Sequence, residues 1–279
     1  EEEEEAAAAE EEDEEVDEAK MTIRQLSRRA KVDPDLLDKI VARMRNSDIV
    51  VDKYKLDITV EKISCLRGTE WLNSELLGFF LEWWVERIGA GSETRMPKDW
   101  AKPKCYFTNT YFFMKLSGEG DKTATGYNYD AVKRWTRKVK VFECDKMIIP
   151  INANNTHWFM ALIDMINKTI ETFDSMNGRH DKVHTNLLRY LEDEHKERKI
   201  EGVFNPAEWE MKTHQDSPRQ LNCSDCGVFS SLFCCYLATE TDFDFSQDDI
   251  PLIRKWIAQM IYKIGEADGQ VAVPGLCNA

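Results

Sequence analysis

Gln220-Leu-Asn-Cys-Ser-Asp-Cys226-Gly-Val-Phe229 places a cysteine beside a glycine at the head of an apolar run, with a glutamine six residues upstream. The run continues through Ser231-Leu-Phe-Cys-Cys-Tyr-Leu237, and residues 226–238 are predicted to form one helix, with Cys234 and Cys235 as small buried apolar side chains. A helix start carries unpaired N–H groups and the positive end of the macrodipole. Both stabilise a thiolate, the reactive form of cysteine. A glutamine amide is a donor able to face an oxyanion. Cys226 is therefore a candidate nucleophile, and Gln220 a candidate oxyanion donor from the same short segment.

A thiol nucleophile needs a base, and His157 offers one. Residues 157–164 and 169–174 read as two short apolar strands joined by Met165-Ile-Asn-Lys168. His157 opens the first and Asp174 closes the second. If the strands form an antiparallel hairpin whose turn is centred between Met165 and Ile166, the two side chains stand directly across from each other, within cross-strand reach. A carboxylate beside an imidazole orients it and stabilises its charged form. Taken singly, each residue has an ordinary reading. His157 could be a satisfied histidine, Asp174 a turn residue in Asp174-Ser-Met-Asn-Gly178, and Cys226 core packing. Their joint occurrence favours a Cys/His/Asp set. His180, His184, His195 and His214 lie in polar stretches, with no partner indicated by spacing.

Cys223-Ser-Asp-Cys226 is also a C-x-x-C at a helix start, the spacing of a dithiol redox centre, but the expected βαβ context is missing. Zinc needs about four ligands, and no second pair matches this one, so no metal site is expected. The net charge of −14 is unevenly spread. Residues 1–20 carry 13 acidic side chains and one lysine, so they hold −12 and leave the other 259 residues at −2. That stretch reads as a disordered, solvated tail or an acidic recruitment segment. No apolar run approaches the ~18 residues of a membrane span. The chain opens on Glu1 without a secretory signal and without Met, as a fragment or processed chain would. Eight cysteines in that setting indicate a reducing compartment.

Outward from the two strands, residues 22–46 suggest one or two short helices, with Asp33-Pro34-Asp35 as a helix start. Ile49 to Val51 reads as a strand. Trp71 to Ile88 is the clearest helix, followed by a surface loop from Gly89 to Pro97. Tyr106 to Leu116 is either a buried helix or a strand. Tyr127 to Lys138 is expected to be helical, Val139 to Phe142 and Met147 to Ile149 strands, Asp181 to Lys199 a helix, Glu208 to Thr213 a strand, and Pro251 to Ile264 a helix. Strands clustered mid-chain between helices imply an α+β fold with a central sheet.

These residues resemble, in order, the blocks of the Ulp/SENP-type SUMO-specific cysteine proteases. The matching blocks are Trp71-Leu-Asn73; Tyr127 with Val132, Arg134, Trp135 and Thr136; and Ile149-Pro-Ile151, His157-Trp158, Ile163-Asp164 and Phe173-Asp-Ser175. Gln220, Asn222 and Asp225-Cys-Gly-Val-Phe229 follow, then Phe245-Ser-Gln247 and Pro251 to Lys255. The resemblance covers about residues 48–265. It implies a papain-like α+β fold of the adenain type, and cleavage after the Gly-Gly C-terminus of SUMO or a close ubiquitin-like modifier, in maturation or deconjugation. It implies His157 as base, Asp174 as its orienting carboxylate, Cys226 as nucleophile, and the Gln220 side chain with the Cys226 N–H as oxyanion donors. Trp71 and Trp158 match the two tryptophans that cover the modifier's tail. Ser74 stands where the family usually has Asp, which bears on modifier preference. Arg219 and Cys223 replace a frequent Gln and Gly, and neither change removes a catalytic group.

The expected organisation is an acidic tail (1–21), a helical extension (22–47) and a cysteine protease catalytic domain (48–279). The expected protein is a monomeric hydrolase of the nucleus or cytoplasm that needs no cofactor and engages neither nucleic acid nor membrane. Two rivals stand beside this reading. One is a catalytically silent binding module, against which the intact Cys/His/Asp/Gln set argues. The other is a protease for a different ubiquitin-like modifier.

Overall fold

The computed structural model describes residues 21–89, 104–119, 126–214 and 216–277; the acidic tail and most of the loop expected after Ile88 lie outside them. Strands β1 (Ile49–Lys53) and β2 (Leu56–Thr59) form a small hairpin. The central sheet has the order β3 (Cys105–Phe107), β4 (Lys146–Ala153), β5 (His157–Asp164), β6 (Thr169–Phe173), β7 (Glu210–His214). The three middle strands are antiparallel, and the two edge strands join them in parallel. Side chains alternate between two cores, as a period of two requires. Ile148, Trp158, Met160, Leu162 and Phe173 enter one; Met147, Ile149, Ile151, Phe159, Ala161 and Ile163 enter the other.

Helices cover both faces. They are α1 (Ile23–Arg29), α2 (Leu36–Arg43), α3 (Val60–Ile63), α4 (Ser74–Ile88), α5 (Phe112–Leu116), α6 (Asp181–Glu197), α7 (Cys226–Ala238) and α8 (Ile250–Ala267). α4, α7 and α8 pack in the first core, α5 and α6 in the second. The result is an α+β fold with a mixed sheet between helical layers. In α7 every residue except Leu237 is buried, as befits a helix apolar all round. α4 starts later than Trp71 because Asn73 caps it, its side chain accepting from the Leu76 N–H at 2.8 Å. It ends at Gly89, whose φ of 72° is the left-handed C-terminal cap that glycine adopts without strain. α1 and α2 bury Ile23, Leu36 and Ile40 in the same core as α8. Among the described residues no helix is long and apolar enough to cross a membrane.

Three local expectations are corrected. Residues 127–138 form a short 3-10 turn at Tyr129–Ala131 followed by turns, not a helix. Tyr127, Tyr129 and Thr136 hydroxyls donate to Asp193 and Glu194 of α6, which pins the segment in an irregular path. Val141–Glu143 is likewise a 3-10 turn, and the strand begins only at Lys146. The ambiguous stretch 106–116 divides into the end of β3 and α5.

The β5–β6 register also differs from expectation. Asp164 pairs with Thr169 and Met160 with Phe173, so the turn is centred between Ile166 and Asn167, one residue further on. The cause is local. Asp164 accepts from the Asn167 backbone N–H (2.8 Å) and side-chain amide (2.9 Å), and Lys168 takes a left-handed φ of 52°, which together make a four-residue loop. The ladder ends at Met160–Phe173, and Asp174 reaches His157 diagonally instead of directly across. An offset of two leaves both residues on the face they would have had.

Candidate active site

His157 sits where β5 emerges from its hairpin with β4. Asn154 and Asn155 both take left-handed φ values (53° and 55°) in that turn, a conformation asparagine tolerates. His157 then pairs with Ala153. Its Nε2–H donates to Asp174 Oδ1 at 2.8 Å. Its Nδ1 is buried and makes no hydrogen bond among the described residues. Since Asp174 occupies Nε2, Nδ1 is the nitrogen left to exchange a proton with a thiol. Burial lowers the imidazole pKa, but the bond to Asp174 and the nearby Cys226 thiol outweigh it, and the value is pushed up to about 9. Asp174, 3% exposed, moves the other way. Burial pushes its carboxyl up, and bonds from His157, His180 and the Met176 N–H hold it well below the ordinary carboxylate range.

Cys226 is the first residue of α7, at the helix end whose N–H groups lack partners within the helix. Gly227 explains how the helix comes so close. A Cβ there would lie 2.6 Å from Leu72 Cβ and 3.2 Å from Trp158 Cδ1. The preceding turn is tied at Asn222, whose Oδ1 accepts from the Ser224 and Asp225 N–H groups at 3.0 Å each. Asp225 accepts from Asn222 (2.7 Å), Gln247 (2.7 Å) and Arg254 Nε (2.8 Å). Burial raises its pKa, and these donors bring it below the ordinary value. Arg254, itself buried, also donates to the Ser224, Cys65 and Glu70 carbonyls. One guanidinium thus locks the nucleophile turn to the loop that leads into Trp71. A buried charge tolerates this environment only when paired and fully hydrogen-bonded.

Gln220 stands in this same turn, and its orientation is set by Ser175. The Ser175 hydroxyl donates to Gln220 Oε1 at 2.6 Å, and the Ser175 carbonyl accepts from the Gln220 N–H at 3.2 Å. With Oε1 occupied, the amide nitrogen is the donor end. One of its two N–H groups goes to the Asn222 carbonyl at 2.6 Å, which leaves the second for a substrate oxygen. Asp174 and Ser175 are neighbours in the chain, so one step of backbone positions both the imidazole's partner and the amide's anchor.

The two tryptophans differ. Trp71 is 52% exposed, and its Nε1–H donates to the Cys223 carbonyl at 3.0 Å. Trp158 is 4% exposed and donates to the Leu72 carbonyl at 3.0 Å. Trp71 therefore offers an open indole face beside the nucleophile turn, while Trp158 lies beneath it.

His157, Asp174, Cys226 and Gln220, four sequence candidates, are thus brought to one end of the central sheet, with Trp71 and Trp158 bordering them. Three further groups join that sequence reading left without a role: His180 on Asp174, Ser175 on Gln220, and Arg254 on Asp225. Only Arg254 and Ser175 lay in quoted motif blocks. The arrangement can hold a thiolate beside an imidazolium and present donors to an adjacent oxyanion, which is the equipment of acyl transfer through a thioester. Among the described residues no group of three or more His, Cys, Asp or Glu side chains is placed to hold a metal ion.

The chain is similar to known proteins over most of its length. The sequence model described as the Ulp1 protease family, C-terminal catalytic domain, matches residues 70–269. A sentrin-specific protease of Caenorhabditis elegans is 34% identical over 253 residues, covering 88% of this chain and 33% of its own length. Ubiquitin-like-specific protease 1A of Arabidopsis thaliana is 35% identical over 213 residues, covering 75% of this chain and 40% of its own. The chain thus spans about a third to two fifths of these curated relatives. Among solved structures, the C-terminal Ulp1 protease domain in complex with Smt3, the yeast ortholog of SUMO, superposes with a TM-score of 0.64. It is 27% identical, with coverage of 82% of this chain and 93% of that one. The fold is the papain-like α+β fold expected from the sequence.

Proposed function

Because the chain belongs to the Ulp1 protease family, we propose that it is a thiol protease that cleaves after the C-terminal Gly-Gly of SUMO or a close ubiquitin-like modifier, in a precursor or at an isopeptide bond. One observation carries this reading: a single imidazole holds a buried carboxylate with Nε2 at 2.8 Å and keeps its other nitrogen, Nδ1, buried without a hydrogen-bond partner among the described residues. Cys226 Sγ, as thiolate, attacks the carbonyl carbon of the last glycine. The Cys226 N–H and the free Gln220 N–H receive the oxyanion. His157 passes its Nδ1 proton to the leaving amine as the C–N bond breaks. It then takes a proton from water, which attacks the thioester, releases the glycine carboxylate and restores the thiol pair.

The partner proposed is the modifier and its conjugates, met by a monomer without nucleic acid, membrane or cofactor. The near-neutral charge beyond residue 20 supports the absence of a polyanion partner. All eight cysteines are free thiols, which suits the nucleus or cytoplasm. The test is a panel of C-terminally reactive modifier probes. A SUMO probe is expected to label Cys226 and a ubiquitin probe to leave it unlabelled. Labelling by ubiquitin alone would overturn the substrate assignment.

The roles proposed for Gln220 and the tryptophans each carry expected results. Gln220→Ala should lower kcat by ~10²–10³, the usual consequence of losing one oxyanion donor, with modifier affinity similar. A change confined to affinity, read by titration of the modifier, would make Gln220 a binding residue instead. A modifier ending in Ala-Ala should be refused, because two methyl groups do not pass between the Trp71 indole and the surface above Trp158. Cleavage of Ala-Ala at the Gly-Gly rate would sink this mode of recognition. Trp71→Ala, made at an exposed indole, should impair cleavage while the protein stays folded. Trp158→Ala removes a buried indole and should also lower stability by about 3–5 kcal/mol, so it does not isolate the tail contact.

A further inference from the structure

The Asp174 carboxylate has four donors, two on each oxygen. Oδ1 accepts from His157 Nε2 and the Met176 N–H, both at 2.8 Å. Oδ2 accepts from the Gly178 N–H at 3.1 Å and from His180 Nε2 at 2.8 Å. Every lone-pair position of the ionised group is therefore filled. Of the four donors, two are backbone groups of its own turn and one is the base. The remaining one, His180, is a side chain with no place in the acyl-transfer steps above.

The His180 ring is fixed independently of that bond. It lies flat on Phe159, centroids 3.7 Å apart and planes 5° from parallel, and Phe159 is two residues beyond His157 on β5. Its backbone is held at the head of α6, where the His180 carbonyl accepts from the Val183 and His184 N–H groups at 2.8 and 3.2 Å. The space between ring and carboxylate is closed. A Cβ on Gly178 would stand 2.5 Å from Asp174 Oδ2 and 3.0 Å from His180 Nε2. A glycine is thus what allows the imidazole to reach the carboxylate at that point.

We propose that His180 is a positioning residue for the reaction: its Nε2–H donates to the Asp174 oxygen that His157 leaves free, and so stops the carboxylate from turning away from the base. This rests on the proposed role of the Cys226, His157 and Asp174 set. A carboxylate with a donor on each oxygen can rotate only by breaking bonds at both ends. Without His180, Oδ2 keeps only the 3.1 Å bond from the Gly178 N–H, and the carboxylate that orients His157 is held less firmly at that end. The effect belongs to the chemical step, because His180 acts through Asp174 and His157 and has no contact of its own with the reacting atoms.

The test is steady-state cleavage of a fluorogenic SUMO C-terminal amide by the whole chain, each variant paired with a thermal melt. His180→Phe keeps the aromatic plane on Phe159 and removes the donor. It should lower kcat ~10-fold with KM unchanged, short of the ~10² that a 1 Å misplacement can cost. His180→Gln, which returns an N–H at similar reach, should recover most of that loss. If His180→Phe does not fold, His180→Leu against His180→Gln decides in the same way. Wild-type kcat in the donor-free variant, or a Gln variant as slow as it, overturns the role of His180. A His157→Ala enzyme that still turns over would instead overturn the active-site reading on which it rests.

Discussion

Cys226→Ser should lose cleavage by at least ~10⁴-fold, the scale on which a catalytic set fails when its nucleophile is removed, and should still bind the modifier. The hydroxyl differs from the thiol by one atom, so the packing of Gly227 against Leu72 and Trp158 is kept. What is lost is nucleophilicity. Sulfur is intrinsically far more nucleophilic towards a carbonyl carbon than a hydroxyl oxygen, which needs full proton removal during attack. Cys223→Ser is the matched control and should retain most activity, since the contact that Cys223 gives Trp71 is through its carbonyl. Rates come from single-turnover cleavage of a modifier precursor, and binding from titration with an uncleavable one. A modifier probe attached to Cys223 instead of Cys226 would move the nucleophile.

His157→Ala should approach the same inactivity, because both proton transfers pass through one ring. Asp174→Asn should lose no more than that, since Asp174 orients and charges the imidazole without carrying a proton. The two variants separate in their pH dependence. The imidazolium form of His157 donates to the leaving amine, and its pKa is raised to about 9 chiefly because the Asp174 bond, with Cys226, outweighs burial. Wild-type activity should therefore persist through neutral pH and fall as pH rises through about 9. In Asp174→Asn the anion that raises the value is gone, so the basic limb should move to lower pH, towards the ordinary histidine value of about 6.5. The same shift has a stability counterpart. A group whose pKa is raised on folding stabilises the native state fully below its unfolded pKa, and that contribution disappears as pH rises through about 9. An Asp174→Asn enzyme with the wild-type rate and the wild-type basic limb would remove Asp174 from the site.

Much of this molecule was legible in its sequence, because local patterns carry it. The glycine after Cys226, the apolar run behind it and the glutamine before it specify a helix with a thiol at its head. Continuous apolar runs along residues 147–151 and 158–163 specify strands buried on both faces, and the order of the motif blocks identifies the family. Even so, the hairpin that would set His157 directly across from Asp174 is offset by two residues from the observed register. The two side chains still meet because an even offset preserves the face of a strand.

Tertiary structure alone decided how those pieces are held. The β5–β6 register depends on Asp164 capping its own turn, a detail that two continuous apolar runs do not specify. Residues 127–136 have helix-like spacing but are drawn out of a helix by three hydroxyl bonds to α6, whose carboxylates lie more than 50 positions away. Ser175 with Gln220 and Arg254 with Asp225 are joined across 45 and 29 positions. Nothing in the local chemistry of a serine or an arginine announces such a partner. His180, in a polar stretch that reads as solvent-exposed, becomes the fourth donor to Asp174 only because Gly178 clears the way and Phe159 supplies a surface for its ring. Periodicity and capping act over a few residues and can be read along the chain. Hydrogen bonds between distant side chains are selected by which surfaces the packed cores bring together, and that is settled only when the chain has folded.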